Sequence, residues 1–277
     1  MPGTTVILSI AWHPITRRLV HVLIYENAPK NHHTGPNAML LHFPAQPMAP
    51  DNIVDTQDAS SIAKDAVLAL TPPPLASRGG GLIGARLGSR STVHVFDSGI
   101  YTVVLANDPR DISAALERVP PNKRPAPNPE IFEWYARWRP SWPVALCCFD
   151  SGMVGSAKPM MWWYEPLDPT MAMLPALDAH HGRPPVLDSH VDVSHWAIFG
   201  LNLSQPHLVT PGMRDALQRL TRVHYRDHLS AWQEALVPTH VMGQQYVGQY
   251  RNGDFLAPID AITAGDPDKI HRGLLSA

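Results

Sequence analysis

The sequence has few charged side chains for its length. Charged residues make up 17% of the 277 residues, and the net charge at pH 7 is −2. With 44% hydrophobic residues, the chain does not have the composition of a disordered protein. A chain so close to neutral offers no overall electrostatic attraction to nucleic acid or to an anionic membrane, so we expect neither as a partner.

Long apolar runs are also absent from the sequence. No stretch reaches the roughly 18 consecutive apolar residues that a membrane helix needs. The apolar run near the N-terminus stops at His13 and Pro14 and has no basic residues before it. This pattern does not match a secretory signal peptide, and we expect no membrane association.

Cysteine is scarce, and this bears on the compartment. Cys147 and Cys148 are the two cysteines of the sequence, and they are adjacent. A disulfide between neighbouring residues is strained, so the sequence predicts no disulfide framework. A reducing, cytoplasmic location is therefore expected. The apolar residues on both sides indicate that the pair lies in a buried strand.

Proline, in contrast, is abundant, with 29 residues. This is about twice its usual share and predicts short elements joined by stiff turns. The length of the chain predicts one α+β domain over residues 1–277, with a division near residue 128 as the alternative. We expect a mainly antiparallel sheet system with a C-terminal helical segment, residues 210–237, packed on it.

Alternating and continuous apolar runs, separated by turn residues, locate the individual elements. Asn252-Gly253 is the strongest hairpin signal, between expected strands at 244–250 and 255–257. Asp-Ser-Gly turns at 97–99 and 150–152 each follow an apolar strand. Further strands are expected at 4–12, 19–25, 37–43, 92–96, 100–106, 143–149, 159–165 and 186–201. Helices are expected at 59–70, 109–119 and 128–138, and as two stretches within 210–237.

Histidine is the most unusual feature, with 15 residues. In an extended strand, Asp188, His190 and Asp192 would point to the same side. Carboxylate and imidazole groups in this arrangement could bind a divalent metal such as zinc, or orient a general base. The residues that could complete the metal site are His180, His181 and His195, although His195 has the opposite parity.

The same pattern also fits an ordinary strand with one exposed face. Leu187, Val191 and Val193 occupy the alternate positions, and a half-exposed strand has this polar-out, apolar-in alternation. A second candidate site is the loop 77–90, whose glycines and arginines could surround an anion. Its candidate ligands are Arg78, Arg86 and Arg90. The loop lacks the Lys-Ser/Thr of a phosphate-binding loop.

Two functional hypotheses follow from these features. The first is a non-enzymatic binding or self-assembling protein, because eight tryptophans and a low charge content indicate apolar and aromatic surface that meets a partner. A homo-oligomer is its simplest form. The alternative is a metal-dependent, hydrolase-like enzyme with an Asp/His site on a strand at 187–195. The sequence does not decide whether the protein is an enzyme, and it identifies no catalytic residue.

Overall fold

The computed structural model describes residues 3–27, 35–56, 58–71, 93–126, 128–150, 152, 157–179, 182–205 and 218–275. The first strands are β1 (Thr4–Trp12), β2 (Leu19–Glu26), β3 (Pro36–His42), β4 (Ile53–Val54), β5 (Val93–Ser98), β6 (Tyr101–Ala106) and β7 (Val144–Asp150). The remaining strands are β8 (Met160–Tyr164), β9 (Met171–Leu174), β10 (His190–Leu201), β11 (Thr221–Arg222), β12 (His240–Arg251), β13 (Asp254–Pro258) and β14 (His271–Gly273).

The α-helices are short and few in comparison with the strands. They are α1 (Ile62–Leu70), α2 (Ile112–Ala115), α3 (Pro129–Trp138), α4 (Ala231–Leu236) and α5 (Ile259–Ala264). The chain is therefore mostly sheet with some helices, which agrees with the expected mixture of α and β structure. None of the helices in the described part of the chain is long and apolar enough to cross a membrane.

The strands form three sheets, which we call A, B and D. Sheet A has the order β11-β12-β10-β1-β2-β8-β4, sheet B has the order β3-β7-β6-β5, and sheet D has the order β14-β13-β9. Strand β1 runs parallel to β10. The other pairings of sheet A are antiparallel, as are those of sheets B and D.

Strands β1 and β2 are apolar on both faces because sheet A is covered on both sides at these two strands. On one face Leu8 and Leu23 pack against Val103 and Cys147 of sheet B. On the opposite face, Ile7, Val22 and Ile24 of the two strands pack with residues of α1 and α4. The continuous run in Thr4–Trp12 is thus typical of a strand buried on both sides.

The expected helical segment at 210–237 is wrong over part of its length. Residues 206–217 lie outside the described part of the chain, and residues 223–230 are not helical. The helix begins at Ala231, where Ser230 caps it and Gln233 completes a capping box. Before it, the chain is held by non-helical contacts: the buried carboxylate of Asp65 accepts hydrogen bonds from Arg226 N (2.9 Å) and Arg226 Nε (2.5 Å). These contacts stabilise the non-helical conformation more than the apolar repeat of 3.6 residues stabilises a helix here.

The hairpin expected at Asn252-Gly253 is also wrong. Strand β12 pairs with β10 in sheet A, whereas β13 pairs with β9 and β14 in sheet D. Asn252 fixes this change of sheet, because its side chain accepts from Asp178 N (2.8 Å) and donates to Asp178 O (3.0 Å). A Cβ at Gly253 would lie 2.7 Å from the carbonyl oxygen of Gly273. The dipeptide therefore allows close approach of another strand instead of forming a two-residue turn.

His21 gives the fold a dependence on pH. It is fully buried on β2, and both its ring nitrogens lack a hydrogen-bond partner among the described residues. Burial lowers the pKa of its imidazole to about 4, against a weaker opposing effect of Asp168. The unfolded chain, with a pKa of about 6.5, therefore binds a proton at a higher pH than the native state does.

We predict that this difference removes about 3 kcal/mol of stability as the pH falls from about 7 to about 4. The variant His21→Leu should lose correspondingly less stability over this range, which urea unfolding at several pH values measures. The exposed His190→Ala is the control and should follow the wild type. Parallel pH curves for wild type and His21→Leu would contradict the assignment.

Candidate functional site

The residues that the sequence proposed as a metal site lie at the start of β10. His190 and Asp192 are exposed and share one side of the strand, while Val193 on the other side is buried. Asp188 precedes the strand in a turn, so the extended segment begins later than expected. Its carboxylate pairs with Arg251, with Oδ1 and Nη2 2.5 Å apart. Asp192 accepts a hydrogen bond from Gln249.

These carboxylates are therefore engaged by neighbours on β12. His195 lies on the opposite side of β10, with its ring centroid 6.0 Å from that of Phe255. Within the described part of the chain, no group of three or more His, Cys, Asp or Glu side chains could hold a metal ion. His180 and His181 lie outside the described residues, as do Arg78, Arg86 and Arg90. The metal site and the anion loop therefore stay predictions.

The structure draws attention instead to the strand that pairs with β10. Strand β12 pairs with β10 along its whole length, from His240 to Arg251. On its other side, β11 pairs only with His240 and Val241. From Met242 to Tyr250 no strand among the described residues lies beside this edge. We call this segment, Met242–Tyr250, the open edge.

The open edge lacks the charged residues and the proline that normally protect an unpaired strand. Its sequence, Met-Gly-Gln-Gln-Tyr-Val-Gly-Gln-Tyr, contains no charged residue and no proline. Five of its residues are exposed, and Val247 retains 64% of its accessible surface. Exposed edges usually carry lysine, proline or inward-pointing charge, since free backbone N–H and C=O groups are a template for another strand.

Other edge strands of the molecule are short, charged or covered. β4 and β11 have two residues each, β14 has three and β9 has four. Strand β5 carries the exposed Asp97, and the part of β10 that β1 does not reach, residues 190–194, carries the exposed Asp192. Strand β3 begins with Pro36, and its remaining residues are buried or half-buried. The open edge is therefore the exception among the edges of the described chain.

Contacts with sheet D hold one face of the open edge. We call this the lower face, and the opposite face the upper face. The ring of Tyr246 lies 4.6 Å from that of Phe255 and 5.7 Å from that of Tyr250, between ring centroids. Its hydroxyl donates to Ile270 O (3.1 Å) and accepts from Gln244 Nε2 (2.7 Å). Burial raises the pKa of Tyr246, so the phenol stays neutral and able to donate. The strand is thus fixed in place although no strand of the described chain pairs with this edge.

Arg272 marks the C-terminal end of the open edge. Its guanidinium lies over Phe255, 5.0 Å from the ring centroid. Its Nε donates to the carbonyl oxygen of Arg251 (3.0 Å), and Nη2 donates to Ala176 O (3.2 Å). Burial lowers the pKa of Arg272, and the charge of Asp254 opposes this effect.

A buried hydrogen bond between two side chains anchors sheet D to sheet B. Asp254 at the start of β13 contacts His42 at the end of β3, with Oδ2 and Nε2 2.9 Å apart and both side chains almost inaccessible. The other carboxylate oxygen accepts from Ala176 N (2.9 Å) and Leu177 N (3.1 Å). Aromatic rings surround His42, with centroids 5.5–6.0 Å away, and they belong to Tyr135, Trp138 and Trp142.

A small cleft lies at the Asp-Ser-Gly turn of the β5–β6 hairpin. Its volume is about 20 Å³, and Ser98, Tyr101 and Lys158 are among the lining residues. This is room for about one water molecule and is far below the roughly 300–1,000 Å³ of small-molecule sites. The cysteines offer no nucleophile, because burial raises the pKa of Cys147 well above its usual value and that of Cys148 to about 12.

Comparison with known proteins gives little more. No protein-family model and no curated protein matches the chain. The solved structures that are distantly similar include two of baculovirus P35. One is a mutated baculovirus P35 after caspase cleavage, with 12% identity and a TM-score of 0.43 over 93% of this chain and 90% of that chain. The other is baculovirus P35, with 12% identity and a TM-score of 0.41 over 94% and 89%.

The contacts around Asp254 lead to a prediction. The variant Asp254→Ala should lose about 3–5 kcal/mol of stability, because it leaves His42 and two backbone N–H groups buried without their acceptor. Urea unfolding measures this loss. The matched control is Asp192→Ala, which removes an exposed carboxylate and should stay within about 0.5 kcal/mol of the wild type. Equal effects of the two substitutions would show that the buried pair is not an anchor.

Proposed function

We propose that this protein is a non-enzymatic binding protein that receives an extended strand of a protein partner along the open edge of β12. The observation that carries this proposal is the uncharged, proline-free and largely exposed run Met242–Tyr250, which pairs with β10 on one side and with no strand of the described chain on the other. Half of the backbone N–H and C=O groups of such a strand point away from β10 and can pair with an incoming strand.

The chemistry of strand addition fits the residues that lie there. Backbone hydrogen bonds supply affinity, and side chains at alternate positions supply specificity. Gln245, Val247 and Gln249 share the upper face and are exposed, so they would contact alternate side chains of the incoming strand. Because the strand is already held by Phe255 and Arg272, it requires little ordering when the partner binds.

The composition favours a protein as the partner over a polyanion such as nucleic acid. With 17% charged residues and a net charge of −2, the chain has little electrostatic attraction for polyanions. Cys147 and Cys148 are free and buried, which supports a reducing compartment such as the cytoplasm. A partner strand that is itself uncharged would match the open edge, because it would bring no charge into an interface without a counter-charge.

A random peptide library displayed on phage tests this function. We expect peptides with alternating β-branched or aromatic residues to be enriched on the wild-type protein. They should bind Val247→Lys about tenfold more weakly, because a lysine on the open edge opposes strand pairing. Binding of synthetic copies is measured by calorimetry.

The matched control is Val186→Lys. Val186 has the same side chain and the same exposure of 64% as Val247, but it lies outside the open edge. Peptides should bind this variant as they bind the wild type. The proposed function is wrong if the protein is a monomer on which no peptide is enriched, or if the enriched peptides bind Val247→Lys and Val186→Lys equally.

A further inference from the structure

Resting on this proposed function, we propose that the strand received by the open edge is β12 of a second copy of the chain. The two strands would pair antiparallel about a two-fold axis at Tyr246. This makes the protein a closed homodimer in which sheet A continues from one subunit into the other.

The limits of the open edge determine this register. At one end β11 covers Val241, and at the other end the carbonyl oxygen of Arg251 is already bonded to Arg272. The free segment runs from Met242 to Tyr250, and its midpoint is Tyr246. An antiparallel copy centred there pairs Met242 of each subunit with Tyr250 of the other. A shifted register would leave part of both edges unpaired or bring the incoming strand against β11.

Charge also favours a second copy as the occupant. Two-fold pairing brings the residues near the axis close to their own copies, so a charge there would meet a like charge. The open edge contains none. The nearest charged side chain along β12 is Arg251, and it is paired with Asp188 at 2.5 Å. Self-pairing therefore brings no unpaired charge of β12 into the interface.

The side chains of the segment complement one another in this register. Val247 of each subunit lies opposite Gln245 of the other. This pairing covers the exposed side chain of Val247 and brings the side-chain amides of the two Gln245 residues near each other. Gly243 lies opposite Gln249, and Gly248 lies opposite Gln244, so each long side chain meets a residue without one. Cross-strand neighbours of this kind are the units that stabilise an antiparallel pair.

The position of Val247 provides a specific test. In this register the two Val247 side chains are diagonal neighbours across the axis, with Cβ atoms about 7 Å apart. Sedimentation velocity over two orders of magnitude in protein concentration should show a dimer for the wild type and for Val186→Lys. Val247→Lys and Val247→Asp should each associate at least about tenfold more weakly, since each doubles one charge at the axis.

A mixture of these two variants should regain the dimer, because lysine and aspartate then face each other. This recovery also shows that both variants fold. The proposal is overturned if the wild type remains a monomer throughout, if Val247→Lys dimerises as well as Val186→Lys does, or if the mixture does not recover. A monomeric wild type that still binds library peptides would leave the proposed function standing and exclude the second copy as its occupant.

Discussion

The pairing of β10 with β12 extends further than the strands on either side of it. This ladder joins twelve residues of each strand, whereas β1 pairs with seven residues of β10 and β11 with two residues of β12. Part of the ladder therefore projects as a two-stranded arm. A two-stranded arm alone is marginally stable in water, so it must be supported from one face.

Sheet D supplies that support, and its position depends on buried polar groups. Phe255 of β13 packs beneath Tyr246, and Arg272 of β14 holds the end of β12. β13 in turn begins at Asp254, whose carboxylate is bound by His42 and by two backbone N–H groups. A chain of contacts thus runs from the aromatic cluster around His42 to the free edge of β12. The edge is exposed and fixed at the same time, which is the condition for binding a strand with little loss of entropy.

Local patterns in the sequence predicted many elements but not their partners. The runs that form β1 and β2 are recognisable because they are apolar, and the parity of His190, Asp192 and Val193 followed from alternation alone. The partner of β12 did not follow, since the Asn252-Gly253 signal favours a hairpin and only Asp178 and Gly273, far away in sequence, explain the change of sheet.

The helix expected over 223–230 is absent for the same reason, because Asp65 binds Arg226 across a long sequence separation. The uncharged run at 242–250 is visible in the sequence, but whether such a run lies at an edge is decided by tertiary pairing.

An unprotected edge exposes a protein to aggregation unless something stops the addition of further chains. The opposite edge of sheet A is β4, which pairs through Ile53 and Val54 only. It offers no counterpart of the length of Met242–Tyr250, so head-to-tail pairing of unlike edges, which would build a fibre, has little to hold it. When the open edges of two subunits pair with each other, neither edge remains available for a third subunit. The backbone of Gly248, with φ of 129°, lies where other residues are rarely found, so this edge does not have the uniform geometry of an extended flat strand. The open edge of β12 is long and the opposite edge strand, β4, is short. This difference favours a closed dimer over an open polymer.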